Sequence, residues 1–445
     1  MRKRAAAILL ALCMALTLLP TAAFATEEGG AAAPVEQPTQ QEEKQEGQQE
    51  QPEETPEQPE EQPEAKPAEQ PEQQQESAAQ GGPAVQSNET GIALLADEHK
   101  HCICGGSVTA GDHTSHSDVA YQPWNGTDGI SYTNNTAYVY LTGNATIGGH
   151  LTVDGKTLYL CLNGKTLSSN NTAKIQVENG GRLVLCDCQG GGTVKGATSG
   201  WGGMCVYLYN SRLDMYGGKL TGGKVTGKGG GGAIALDDQQ CIFNMYGGEI
   251  SGNNGNNYGG AIFRKFNANM PNTTGGTFNM YGGTIKDNTA KNGGAFFSTT
   301  GGTINMTGGT ISGNKATQSN NDAGGGAIYM RGNGKIDISG SAEITGNSSS
   351  LDGGAILMGW GEINISGSAK INSNTASRWG GAICLRQDSN QSTTLNMRGG
   401  EISGNKANSE GGAVHVLDKQ CQFFLYDGKI TGNTSGDGGA IYLNQ

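Results

Sequence analysis

Residues 301–314 read GGTINMTGGTISGN, and eleven residues after Asn314 the segment 325–330 reads GGAIYM. These letters recur. GGA begins at Gly231, Gly259, Gly293, Gly325, Gly353, Gly380, Gly411 and Gly438, at spacings of 27 to 34. Self-similarity at such a period marks a solenoid, in which each repeat is one supersecondary unit stacked on the next. Every repeat carries three apolar bursts: GGAIYM-like, then FNMYGG-like, then I-x-x-N. Three short strands per turn, with length variation confined to the connections, predict an all-β, right-handed parallel β-helix of about ten coils.

Strand neighbours point to opposite faces, so alternation assigns the core. Ile234, Ile262, Phe296, Ile328, Ile356, Ile383, Val414 and Ile441 share one inward position of the first strand. In the second strand the inward pairs include Phe243 with Met245, Phe278 with Met280 and Ile304 with Met306, and the third strand supplies Ile250, Ile285, Ile311, Ile344, Ile371, Ile402 and Ile430. Asn253, Asn288, Asn314, Asn347, Asn374, Asn405 and Asn433 follow that Ile by three residues. Asn tolerates the left-handed backbone a sharp corner needs, and stacked Asn side chains can hydrogen-bond along a column, so these seven are expected to form a ladder and turn the corner. One coil buries too little apolar surface to stand alone, and stability has to come from stacking on neighbours.

The rest of the chain divides by composition. Residues 1–25 have a basic start, an apolar stretch and a small-residue Ala23-Phe24-Ala25 ending, the pattern of a secretory signal peptide. Residues 26–90 hold 17 Glu against two Lys and almost no large apolar side chain, and nine of the twelve prolines fall between Pro34 and Pro83. Such a segment is expected to be a disordered linker. The signal adds +3 and the linker −15, which together equal the whole formal −12, so residues 91–445 are near neutral and carry no basic footprint for nucleic acid. The signal-peptide pattern places the mature chain outside the cytoplasm, secreted or at the cell surface, and no other run is long and apolar enough to span a bilayer. Residues 91–129 form a small Cys/His-rich segment, and the β-helix is expected over 130–445. GGAIYLNQ at the far end breaks off after one strand, so the chain is expected to continue, with any cell-wall attachment beyond Gln445.

GGAI joined to a hydrophobe-x-x-Asn element resembles the repeat of the polymorphic outer membrane protein family of secreted bacterial adhesins, whose signature is GGAI plus FxxN. The resemblance covers roughly residues 202–445. GGAI is intact at Gly259–Ile262, Gly325–Ile328, Gly353–Ile356 and Gly380–Ile383, whereas Ile stands where the family has Phe. It implies a parallel β-helix with an adhesive or surface role. The wider pectate-lyase-like superfamily shares that fold and includes lyases and hydrolases, so the fold does not choose between binding and catalysis.

Three sets of residues could carry function. Outward positions of the first strand read Tyr207, Ala235, Phe263, Phe297, Tyr329, Leu357, Cys384, His415 and Tyr442, a nearly aromatic column that would line a shallow binding groove, or else be covered as a second small core. Glu410 and Asp437 both precede GG in successive coils, with Asp352 and Trp379 in the same place before them. A close carboxylate pair beside a Trp suits glycoside cleavage or calcium, or merely a solvated corner. Cys102, Cys104, His113 and His116 fall within fifteen residues and could hold zinc, although C-x-C and H-x-x-H are tighter than the usual spacings. Cys161 and Cys186 occupy equivalent columns, and export permits a bridge. The favoured reading is a non-catalytic, adhesin-like surface protein that binds host or microbial glycans or proteins, through Phe263, Phe297, Tyr329, Trp379, His415 and Tyr442. The alternative is an extracellular polysaccharide lyase or glycoside hydrolase.

Overall fold

Phe243, Phe278, Ile304, Ile336, Ile363, Leu395 and Phe423 stand in register on successive parallel strands, each the Cα partner of the next. The computed structural model describes residues 99–103, 117–238, 240–264, 276–319, 324–387 and 391–444, all within the compact unit Thr90–Gln445. The signal stretch 1–25 and the linker 26–90 lie outside the described residues. Among those described there is no helix, and parallel coils stack into a β-solenoid of about ten turns. One 30-stranded sheet wraps the three predicted strand columns. Where the connection between the first two strands of a coil is short they run together, as in Ile328–Ile338 and Ile356–Ile365.

The core is one continuous cluster along the solenoid axis. Ile234, Ile262, Ile328, Ile356 and Ile383 from the first strand meet Met245, Met280, Met306 and Met397 from the second and Ile250, Ile285, Ile344 and Ile371 from the third, all fully buried. Most coils also add a fourth, short strand that the three-burst pattern does not reveal. Eight of these, among them Lys315–Ala316, Thr375–Ala376 and Lys406–Ala407, form a separate ladder. Two residues are too few to show alternation, but the pattern is there: Lys faces solvent while Ala316 and Ala407 are buried.

The corners work differently from expectation. The asparagines do not adopt the left-handed conformation; the residue before each one does, with φ of 63° at Gly313, 63° at Gly346, 61° at Gly404, and 55° at both Asp287 and Ser373. The Asn is free to serve as a side-chain bridge. Asn314 donates from its backbone N–H and from Nδ2 to Oδ1 of Asn347, both at 2.9 Å, and its Nδ2 also reaches the Ile285 carbonyl one coil back at 3.0 Å. The same geometry runs from Asn253 through Asn288, Asn314, Asn347, Asn374 and Asn405 to Asn433. Each amide thus supplies hydrogen bonds for main-chain groups that the corner removes from the sheet. At the corner that leads into the first strand, the second Gly of GGA is a close approach: a Cβ on Gly326 would lie 2.0 Å from the Gly354 carbonyl oxygen.

The ladder begins before Ile130. Gln122–Trp124 pairs in parallel with Val139–Leu141, and the buried Trp124 ring packs on the first coil, its Nε1 donating to the Asp128 carbonyl at 2.9 Å. Just ahead of it, Lys100–His101 and Val119–Ala120 form a small antiparallel pair.

Candidate functional site

The outward column of the first strand is in unbroken register, Tyr207 to Ala235 to Phe263 to Phe297 to Tyr329 to Leu357 to Cys384 to His415 to Tyr442. It is not an open groove. Phe263 is 8% exposed, Phe297 1%, Tyr329 2% and His415 0%, and together with Leu357 and Cys384 the first three make a second apolar cluster on the outer face of the sheet. Corner residues ahead of GG fold over it. Tyr258 stacks on Phe297 at 4.7 Å, and Trp379 stacks on His415 at 5.1 Å, with His415 in turn on Tyr442 at 5.3 Å. Arg386 Nη2 donates to the Tyr329 hydroxyl at 2.8 Å. The groove expected at Phe263, Phe297, Tyr329 and His415 is therefore corrected to a satellite core: aromatic faces left in water are worth covering, and the corner supplies the cover. Trp379 and Tyr442 remain half-buried.

One end of the column stays open, because Ala235 is too small to fill its rung between Tyr207 and Phe263. The result is a hollow of about 330 Å³ lined by Lys174, Trp201, Tyr207, Lys228, Ala235, Asp237 and Phe263. That is at the small end of ligand pockets, about 300–1,000 Å³. Trp201 stands at its rim, 71% exposed. The Tyr207 hydroxyl donates to the Asp237 carboxylate, and burial, reinforced by that carboxylate, pushes the phenol pKa well up. Lys174 Nζ donates to the Gly202 carbonyl at 3.1 Å and lies 5.5 Å from the Tyr207 ring centroid; burial lowers its pKa. The floor is apolar, the rim offers both charge signs, and a large ring faces water. Sequence reasoning singled out Tyr207 only as part of the column and missed Trp201 entirely. Its signal is faint: a Trp in the Gly-rich connection GATSGWGGM, ahead of a strand whose next rung is Ala.

The carboxylate pair is partly assembled. Trp379, Glu410 and Asp437 are successive bridge partners at the corner, so Glu410 and Asp437 are adjacent in the backbone ladder. Glu410 Oε2, however, lies 2.9 Å from His415 Nε2, and Asp437 is exposed. His415 has its pKa lowered by burial, which the Glu410 hydrogen bond only partly offsets. Asp352 is fully buried and held by Arg378 through Nε at 2.7 Å and Nη2 at 2.6 Å, while the same guanidinium sits 4.0 Å over the Trp379 ring. That corner is a packed ionic network, with one acid of the proposed calcium or catalytic pair already engaged.

Of the zinc set, Cys104, His113 and His116 lie outside the described residues. Cys102 is half-buried, and its carbonyl oxygen lies 2.6 Å from His101 Nδ1. Cys161 and Cys186 are Cα partners as their spacing suggests, yet both are free thiols.

No protein family, curated protein or solved structure matches this chain.

Proposed function

We propose that the chain is an extracellular, adhesin-like β-helix protein, secreted or held at the cell surface, that binds glycans without cleaving them. The observation that carries this is Trp201, a largely exposed indole at the mouth of a small apolar hollow with Asp237, Lys174 and Lys228 around it. A pyranose ring offers a C–H face to an aromatic plane and hydroxyls to charged groups, and this rim provides both. The resemblance of the GGAI repeat to bacterial adhesins supports the same reading, and the signal-peptide pattern supports export. Glycoside hydrolysis in its usual form uses two carboxyl groups flanking the bond, and among the described residues Asp237 is the single carboxylate lining the hollow.

The test is a glycan screen on the full chain with product analysis in the same samples. Binding that falls at least tenfold in Trp201→Ala, with no reducing ends or unsaturated sugars released, supports the proposal. Binding unchanged in both Trp201→Ala and Ala235→Phe, the second of which fills the hollow, overturns the assigned site. A second reading, catalysis at the corner of Glu410, His415 and Asp437, is favoured by their adjacency; product release that disappears in Glu410→Gln would establish it and end the non-catalytic proposal.

A further inference from the structure

The small amino-terminal strand pair is tied to the first coils by a cluster that local spacing does not reveal. His101 comes from that strand pair and His99 from just ahead of it, Cys161 from the end of strand Thr157–Cys161, and Cys188 from the connection after strand Arg182–Cys186. One ligand-type atom from each lies within 4.8 Å of all the others. We propose that these four side chains form a tetrahedral two-cysteine, two-histidine zinc site that staples the amino-terminal strands to the solenoid.

The distances fit the ion. Zn–S of about 2.3 Å and Zn–N of about 2.0–2.1 Å in a tetrahedron put two sulfurs about 3.8 Å apart and a sulfur and a nitrogen about 3.5 Å apart. Cys161 Sγ and Cys188 Sγ are 3.3 Å apart, and Cys188 Sγ is 3.4 Å from His99 Nε2. For these two pairs closing on a cation needs shifts of a few tenths of an ångström, and the other donor atoms, all within 4.8 Å of one another, have to draw in further.

The surroundings of the two imidazoles point the same way. His101 Nδ1 lies 2.6 Å from the Cys102 carbonyl oxygen, so this nitrogen carries the proton and donates it there, leaving Nε2 as the lone-pair nitrogen. That Nε2 is buried without a hydrogen-bond partner of good geometry, with the Cys188 thiol as its neighbour. A ligand histidine whose second nitrogen is anchored on a backbone carbonyl is the usual outer-shell arrangement of zinc sites. Both rings are also held in place, His99 stacked on Tyr140 at 4.0 Å and His101 on Tyr121 at 4.2 Å. A buried lone pair with nothing to accept costs free energy, and a metal ion removes that cost.

Thiolate and imidazole donors in fourfold geometry select zinc over calcium or magnesium, which take oxygen. The competing chemistry is oxidation, since two thiols 3.3 Å apart in an exported protein can close to a disulfide. The full-length protein, reduced and metal-depleted, is titrated with Co²⁺ and then Zn²⁺. The expected result is one equivalent of Co²⁺ bound with thiolate charge-transfer and tetrahedral ligand-field absorption, displaced by Zn²⁺. Both signals should be lost in Cys188→Ser and in His99→Ala, and kept in Cys102→Ser. His99→Ala lies just ahead of the half-exposed strand pair and tests the site even if Cys188→Ser folds poorly. An octahedral spectrum, retention of binding in both variants, no binding at all, or a Cys161–Cys188 disulfide in the secreted protein by non-reducing peptide mapping would each overturn the proposal.

Discussion

Replacing Asn347 by Ala should open the solenoid locally. Oδ1 of Asn347 accepts the buried backbone N–H of Asn314 at 2.9 Å, and its Nδ2 donates to the Ile311 carbonyl at 2.9 Å and to Asn374 Oδ1 at 3.0 Å. Truncation deprives the Asn314 N–H and the Ile311 and Thr345 carbonyls of this partner; the two fully buried bonds alone are worth about 1–3 kcal/mol each, or about 2–6 kcal/mol together. Asn347→Asp is a sharper probe. It keeps an acceptor for Asn314 but replaces the amide donor with a carboxylate oxygen facing the Ile311 and Thr345 carbonyls and Asn374 Oδ1, so at neutral pH it should be at least as damaging as Ala, and recover in part once acid protonates it. Because a solenoid need not unfold all at once, the reading should be local. Hydrogen exchange of amides in coils 311–347 should accelerate at least about thirty-fold in Asn347→Ala, from 1.4 kcal/mol per factor of ten. A change under about threefold with the β-structure intact would refute the assignment of structural weight to the Asn ladder.

Three other expectations concern corners and charge. Gly326→Ala should prevent correct stacking, because its Cβ would meet the Gly354 carbonyl oxygen at 2.0 Å, whereas Gly346→Ala meets nothing within 4 Å and should cost only about 1–2 kcal/mol for its left-handed φ; paired thermal melts distinguish the two. Arg378→Met strands the fully buried Asp352 carboxylate and should destabilise by about 3–5 kcal/mol, measured by urea unfolding, with Arg378→Met/Asp352→Asn recovering much of the loss. Burial alone would raise the Glu249 carboxyl, but the Ser251 hydroxyl and the ammonium groups of Lys219 and Lys286 outweigh it and hold the pKa at about 2, against 4.5 when unperturbed. Its stabilisation is therefore complete above pH 4.5 and is lost as pH falls toward 2. Glu249→Gln should flatten stability across that window in acid titrations followed by circular dichroism.

The core was legible because it is written in a periodic code: inward positions recur in every coil, and alternation at Ile328 and Met330 or Ile304 and Met306 needs no knowledge of distant chain. The columns of like residues follow from the same code. What covers the aromatic column was not legible, since Tyr258, Asp352 and Trp379 occupy one corner position with unrelated chemistry and share no pattern. The left-handed residue was misplaced by one because Gly and Asn both favour that conformation and only the backbone shows which adopts it. His99, His101, Cys161 and Cys188 escaped for a further reason. Spacing rules look for ligands close in sequence, and here a strand pair outside the repeat reaches two separate coils.

Successive coils share one template and pair only with their immediate neighbours, so the rod behaves like a tape measure. Inserting or removing a whole repeat in the middle should change its reach by about 4.8 Å per rung while leaving the Trp201 rim and the cysteine–histidine cluster as they are. Gain or loss of whole repeats would thus lengthen or shorten the solenoid without redesigning either cluster.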